Sequence, residues 1–187
     1  MRAYVSIGSN VDRERHIRAA LAALRAQFGP IEASSVYETP AEGFAGEPFL
    51  NLVAAFDCEL GPNELAVWLK QVEFENGRVR SERRFAPRTL DLDLILYGDL
   101  VVASGMVRLP HRDIRAYAFV LEPLLELAPD LVLPDTGEPA HALWRENLAS
   151  GQMRAGRRFE FAAEMPDVDE ACIAAAGPGG VSGVSEA

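Results

Sequence analysis

The opening residues "RAYVSIGSN" alternate apolar and polar positions, include β-branched side chains, and end in Gly-Ser-Asn, the pattern of a strand followed by a turn. From Asp12 the period lengthens. Ile17, Leu21, Leu24 and Phe28 recur at helical spacing until "FGP", where Gly29 is the expected C-terminal cap. A second strand is predicted across "IEASSVYET". The Pro- and Gly-rich "PAEGFAGEP" after it is long for a loop in a compact domain, which marks it as a candidate functional segment. "FLNLVAAFDCEL" reads as a longer strand, and "GPNELAVWLKQVEFENGR" as a capped helix with Leu65, Trp68, Leu69 and Val72 on its apolar stripe.

An arginine-rich loop leads into a fourth strand, "LDLDLILY", and then a short hairpin across "YGDLVVASGMVRL" with its turn at Gly98-Asp99. "LPHRDIRAYAFVLEPLLELAPD" is predicted to run from loop into a short helix broken at Pro123, "PAHALWRENL" to form a last small helix, and "RRFEFAAE" a final strand. The order β-α-β-β-α-β predicts an α+β fold: a ferredoxin-like sandwich, a mostly antiparallel sheet with helices packed on it. Residues 1–162 form the expected domain. Residues 163–187, without a basic side chain and rich in small residues, read as a disordered acidic tail. Its "GPGGVSG" lacks the spacing, the preceding strand and the following helix of a dinucleotide loop.

Composition narrows the class. A chain of 187 residues that is 49% hydrophobic is long enough for one sizeable core. No apolar run approaches the roughly 18 residues of a membrane span, and the N-terminus carries no signal-peptide pattern, so a cytoplasmic monomer is expected. Cys58 and Cys172 match neither a disulfide framework nor a zinc spacing, and are expected as free thiols. A net charge of -10 argues against nucleic acid and anionic membrane as partners. One window breaks the acidic trend: Arg78, Arg80, Arg83, Arg84 and Arg88 face a single acid, Glu82. Clustered guanidinium groups suit bidentate capture of phosphate oxygens.

Directly behind those arginines stand Asp91 and Asp93. Strand alternation puts Asp91, Asp93, Ile95 and Tyr97 on one face and Leu92, Leu94 and Leu96 on the other, with the two aspartate Cα atoms about 6.5 Å apart. A solvated strand end would explain an isolated pair, but here the same face turns apolar at Ile95 and Tyr97, so the pair sits at the mouth of a partly buried face. Like charges so placed resist burial unless a cation joins them. Asp93→Asn is therefore expected to leave the metal-free chain as stable as before, or slightly more so. Carboxylates hold Mg²⁺ through a few oxygens and leave its other positions to water and substrate phosphates. Arginines that neutralise a transferred group complete the pattern, and the two features together point to a nucleoside triphosphate. A metal-dependent phosphodiesterase remains open on the same residues, as does a binding module on this fold, though the chain lacks the basic charge and aromatic strands of an RNA reader.

No Walker lysine motif, kinase signature or nucleophile elbow occurs, and His16, His111 and His141 show no metal-ligand spacing. The sole lysine, Lys70, enters only as part of that exclusion. Phe49 and Asn51 share a strand face, where an aromatic can stack on a ring and an amide can read a heterocycle edge. Taken alone, a core Phe with its Asn bonded to backbone explains them better.

"RRFAPRTLDLDLI" is similar to the signature of the 6-hydroxymethyl-7,8-dihydropterin pyrophosphokinase family. "SIGSN", "YETP", "EPFLN", "VEFENGRVR", "LPH" and "AFVLEPLLELAPD" follow in the family's order over residues 1 to about 148. The resemblance implies transfer of diphosphate from ATP to a pterin alcohol, with AMP leaving, and two Mg²⁺ ions held by Asp91 and Asp93. It implies Arg78 and Arg88 on the phosphates, Arg80 and Arg84 on an arginine loop, and Glu73, His111 and Arg112 on the nucleotide side. For the pterin it implies Phe49 and Phe119 as a sandwich, Asn51 at the ring edge, and the backbone around Thr39, Pro40 and Glu42 completing the pocket. Phe85, Arg112, Tyr117 and "SNVDRERHI" depart from the family's pattern and leave room for a paralogue acting on a related pterin.

Overall fold

The structure is a computed structural model that describes residues 1–40, 46–78 and 88–161. Six strands and five helices follow in the order β1 (Arg2–Ser9), α1 (Arg13–Phe28), β2 (Glu32–Ala33), β3 (Val36–Thr39), β4 (Phe49–Asp57), α2 (Pro62–Glu75), β5 (Asp91–Tyr97), α3 (Asp113–Ala116), α4 (Ala118–Leu127), α5 (Ala140–Ser150) and β6 (Arg157–Phe159). The strands form one sheet in the order β5-β1-β4-β3-β6, with β2 also on β4, and all described pairings are antiparallel. Its β5-β1-β4-β3 core, with α1 and α2 as the crossovers, is the predicted ferredoxin-like arrangement. Among the described residues no helix is long and apolar enough to cross a membrane. Glu42, Arg80, Arg83, Arg84, Phe85 and the tail expected from residue 163 lie outside the described residues.

Both faces of the sheet are covered. On one, Val5, Ile7, Leu50, Leu52, Phe56, Leu92 and Leu94 meet Ile17 and Leu24 of α1 and Leu65 and Leu69 of α2. On the other, Val53, Ile95 and Leu96 meet Ile114 of α3, Val120, Leu121 and Leu124 of α4, and Ala140 of α5. Helix α2 starts where Pro62 supplies a fixed φ and Glu64 accepts a hydrogen bond from the Gly61 N–H at 2.8 Å. Helix α1 stops at Gly29, whose φ of 78° a side chain would resist.

Four expectations are corrected. "IEASSVYET" is two strands, because Ser34 interrupts it: its hydroxyl accepts from the Val53 N–H at 3.0 Å in place of a backbone carbonyl. The face assignment in β5 holds only to Ile95. Tyr4 pairs with Leu96 and Val5 with Leu94, so Ile95 is an extra residue, and a bulge reverses the alternation beyond it. Leu96 therefore joins the aspartate face, while Tyr97 turns to the α1/α2 side and donates to the Leu60 carbonyl at 2.6 Å. The predicted hairpin after Gly98 reduces to a single bridge, Val102 to Leu109, since Leu100, Val101 and Met106 are exposed and have no sheet face to pack against. Pro123 does not break α4, which continues to Leu127. Only the carbonyl of Phe119, four residues back, loses its backbone donor, and the burial of Val120, Leu121 and Leu124 holds the helix together.

Candidate active site

The α3–α5 helices leave one end of their sheet face open, and there the strands bring together residues far apart in sequence. The register sets Ser6 opposite Asp93, Gly8 between Asp91 and Asn51, and Thr39 opposite Phe49. Gly8 is small for a reason: a Cβ there would lie 3.0 Å from Asn51 Oδ1 and 3.9 Å from Phe49 Cδ1. The "SIGSN" turn fixes the surrounding chain. Ser9 Oγ donates to the Thr89 carbonyl at 2.5 Å, Asn10 Oδ1 accepts from Arg88 N–H at 2.7 Å, and Asn10 Nδ2 donates to the Glu47 carbonyl at 3.1 Å. One turn thus ties down both Glu47 and the Arg88–Thr89 backbone.

The resulting cavity has a volume of about 360 Å³. Arg78, Arg88, Asp91, Asp93, His111, Arg112, Thr39, Pro40, Phe49, Asn51 and Phe119 all line it. One end is apolar and aromatic: Phe119 stacks on Tyr117 with ring centroids 4.8 Å apart and planes 16° apart. Asn51 is buried there and donates to Thr39 Oγ1 at 2.8 Å, so the expected backbone role of Thr39 is joined by a side-chain one. The other end is ionic. Arg78 Nη1 donates to Asp91 Oδ1 at 2.5 Å and Glu73 Oε2 at 2.5 Å, while Arg88 pairs with the other oxygen of Asp91.

Glu73 lies behind this wall rather than in it. Its side chain is only 3% exposed, accepts from the Leu92 N–H at 2.6 Å, and so ties α2 to β5. Burial pushes its pKa up, against the pull of Lys70, Leu92 N–H and Arg78. With donors on both oxygens, we assign it the carboxylate form.

Lys70 is the residue that sequence reasoning missed. Its ammonium donates to Glu73 Oε1 at 2.7 Å, the Leu92 carbonyl at 2.7 Å and Asp93 Oδ1 at 3.0 Å. The signal was its place three residues before Glu73, on the same face of α2. Burial works to raise the pKa of Asp93, but Lys70, helped by His111 and Arg78, outweighs it and holds the carboxyl below its usual range. Burial likewise opposes the Lys70 charge, yet Asp93, Glu73 and Asp91 raise its pKa above that of a free lysine. Three carboxylates (Glu73, Asp91, Asp93) and three cations (Lys70, Arg78, Arg88) therefore balance.

A second cavity, of about 620 Å³, opens on the far side of this cluster and shares Lys70, Asp93, His111 and Arg112 with the first. Leu69, Val102, Val107 and Leu109 give it apolar walls. Among the described residues no three His, Cys, Asp or Glu side chains gather to enclose an ion. Two carboxylates alone suit a hard cation that takes its remaining oxygens from water and substrate.

A profile of the 7,8-dihydro-6-hydroxymethylpterin-pyrophosphokinase family matches residues 4–129. The chain belongs to this family. A 2-amino-4-hydroxy-6-hydroxymethyldihydropteridine pyrophosphokinase of Pseudomonas aeruginosa is 44% identical over 138 residues, covering 72% of this chain and 85% of its own. One of Haemophilus influenzae is 38% identical over 138 residues, covering 72% and 86%. The fold is similar to a crystal structure of Plasmodium falciparum HPPK-DHPS with STZ-DHP, with a TM-score of 0.64 and 12% identity over 79% of this chain and 45% of that one. The present chain thus spans less than half the length of that solved protein. Membership makes it a pterin pyrophosphokinase.

Proposed function

We propose that the chain transfers diphosphate from ATP to the hydroxymethyl group of 6-hydroxymethyl-7,8-dihydropterin in folate synthesis, and that it does so at the wall shared by the two cavities. The observation that carries this reading is the placement of Asp91 and Asp93, with Lys70, Arg78 and Arg88 around them, between an aromatic, amide-edged cavity and a larger apolar one. The first cavity suits a pterin: Phe49 and Phe119 offer faces for stacking, and the buried Asn51, oriented by Thr39, offers an edge. The second suits a purine. A polyphosphate joining them passes Lys70, Asp93, His111 and Arg112.

Asp91 and Asp93 would hold two Mg²⁺ ions, which when bound neutralise the phosphates and lower the pKa of a coordinated hydroxyl. The chain's own contribution is positioning. Arg78 and Arg88 are fixed by Glu73 and Asp91, so their charge stands in place before the substrate arrives. Arg80, Arg84 and Glu42, outside the described residues, complete the reading as phosphate and pterin contacts. A cytoplasmic monomer without nucleic-acid or membrane partners accords with the net charge of -10. Incubation with ATP, Mg²⁺ and the hydroxymethyl dihydropterin, followed by nucleotide chromatography, tests the proposal. AMP formed only when the pterin is present supports it; ADP, AMP formed without pterin, or no turnover refutes it.

A further inference from the structure

The one lysine of the chain occupies a position that a metal ion would contest. Its three N–H donors go to three acceptors: Glu73 Oε1, the Leu92 carbonyl and Asp93 Oδ1. Two of these belong to the scaffold. Glu73 is buried and bonded to the β5 backbone, and the Leu92 carbonyl is β5 backbone itself. Of the three acceptor residues, Asp93 alone lines both cavities; Leu92 borders only the larger one, and Glu73 neither. The ammonium can therefore release Asp93 and keep its place, with one donor turned toward whatever enters between the cavities.

The electrostatics then depend on what arrives. A bare divalent cation meets a cluster that is already neutral, and must take Asp93 from Lys70 while standing beside Lys70, Arg78 and Arg88. A cation that comes with a polyphosphate brings the negative charge that the released N–H, Arg78 and Arg88 can accept. Resting on the metal and ATP sites proposed above, we infer that Lys70 is an internal countercation that makes metal binding at Asp93 conditional on the nucleotide's polyphosphate. It is a positioning residue: it holds the Asp93 carboxylate in the metal-free chain and turns to a phosphate oxygen in the loaded one. Coupling of this kind is reciprocal, so the nucleotide and the metal each strengthen the other's binding, and Lys70 supplies part of that coupling.

The test uses the full chain and Mn²⁺ as the probe, titrated by calorimetry or by the loss of the free-ion electron paramagnetic resonance signal. Each titration is run with and without a non-hydrolysable ATP analogue. Lys70→Gln is expected to strengthen Mn²⁺ binding in the absence of nucleotide by about tenfold or more, since a unit charge about 5 Å from a divalent ion has that effect even at the dielectric constant of water. The gain from adding nucleotide is expected to shrink by a similar factor. Lys70→Arg, which keeps the charge, is expected to bind Mn²⁺ as weakly as wild type. Unchanged Mn²⁺ affinity in folded Lys70→Gln overturns the proposal, and Lys70→Met stands in if the glutamine variant does not fold. Asp93→Asn in the Lys70→Gln background separates the two layers. If it abolishes the gained affinity, the metal site is where it was placed; if Mn²⁺ affinity ignores Asp93 in every background, the metal-site reading itself fails, and the role of Lys70 with it.

Discussion

Replacing Asp93 by Asn distinguishes a repelling pair of carboxylates from a compensated one. Seen as two like charges on one strand face, the pair should be relieved by the substitution. The structure reverses that expectation, because Lys70 lies 3.0 Å from Asp93 Oδ1 and both arginines hold Asp91. The Asn variant therefore loses an ion pair and leaves Lys70 with Glu73 and the Leu92 carbonyl. Asp93 is 38% exposed, so solvent screens the pair, and about 1 kcal/mol is the appropriate loss rather than the 3 or more of a fully buried pair. For a domain of this size that lowers Tm by about 2–4 °C. The pH dependence fixes the cause. The pKa of Asp93 is depressed in the folded chain, so its contribution is complete above the ordinary aspartate range of about 4 and disappears as pH falls through the folded value. Melting curves of wild type and variant in EDTA should differ at pH 7 and converge in acid. AMP production by the loaded enzyme should fall by about a hundredfold or more, the usual cost of losing one preorganised electrostatic contact. An Asn variant that melts with or above wild type at pH 7 in EDTA would refute the countercation account. A difference that persists unchanged into acid would refute the ionic origin of the effect.

Other substitutions probe the rest of the site. Glu73→Gln removes a carboxylate that holds Lys70 and Arg78, but burial opposes that charge and both cations keep Asp93 and Asp91, so it should cost about 1–2 kcal/mol in urea unfolding; no measurable change would show that Glu73 is not the anchor. Gly8→Ala puts a methyl 3.0 Å from Asn51 Oδ1, and should raise KM for the pterin several-fold while KM for ATP stays put; equal effects on both substrates would count against Asn51 as a pterin contact. Phe49→Ala should weaken pterin binding by about tenfold to a hundredfold through lost stacking, read by fluorescence titration with the nucleotide absent. Unaltered affinity would remove Phe49 from the pocket.

The fold was legible because its signals are local. Periodicity marks α1, β4, α2 and β5, and Gly29 and Pro62 mark helix ends. The misreadings arose where a tertiary partner overrides the local rule. Nothing in "LDLDLILY" announces the bulge at Ile95, because the extra residue is defined only against Tyr4 and Val5 of β1. Nothing in "IEASSVYET" says that the Ser34 hydroxyl will capture the Val53 N–H. Pro123 reads as a breaker until the apolar face of α4 is seen to be buried.

The site divides in the same way. Arg78, Arg88, Asp91 and Asp93 were visible as a charge pattern, and Phe49 and Asn51 as a strand face, because each group is contiguous in sequence. Lys70 was not visible, since its function depends on a helix crossing a strand: α2 packs on β5 so that a side chain from one helical turn reaches a backbone carbonyl and a carboxylate on the strand. That crossing also resolves the conflict the aspartate pair posed. Two carboxylates can be built into a half-buried strand before any metal arrives only if the fold supplies the cations. Here α2 supplies one from Lys70, while Arg78 and Arg88 bring the others from the two ends of the arginine loop. The carboxylates are then compensated without a bound cation, and the same positive charges stand where the proposed phosphates would pass.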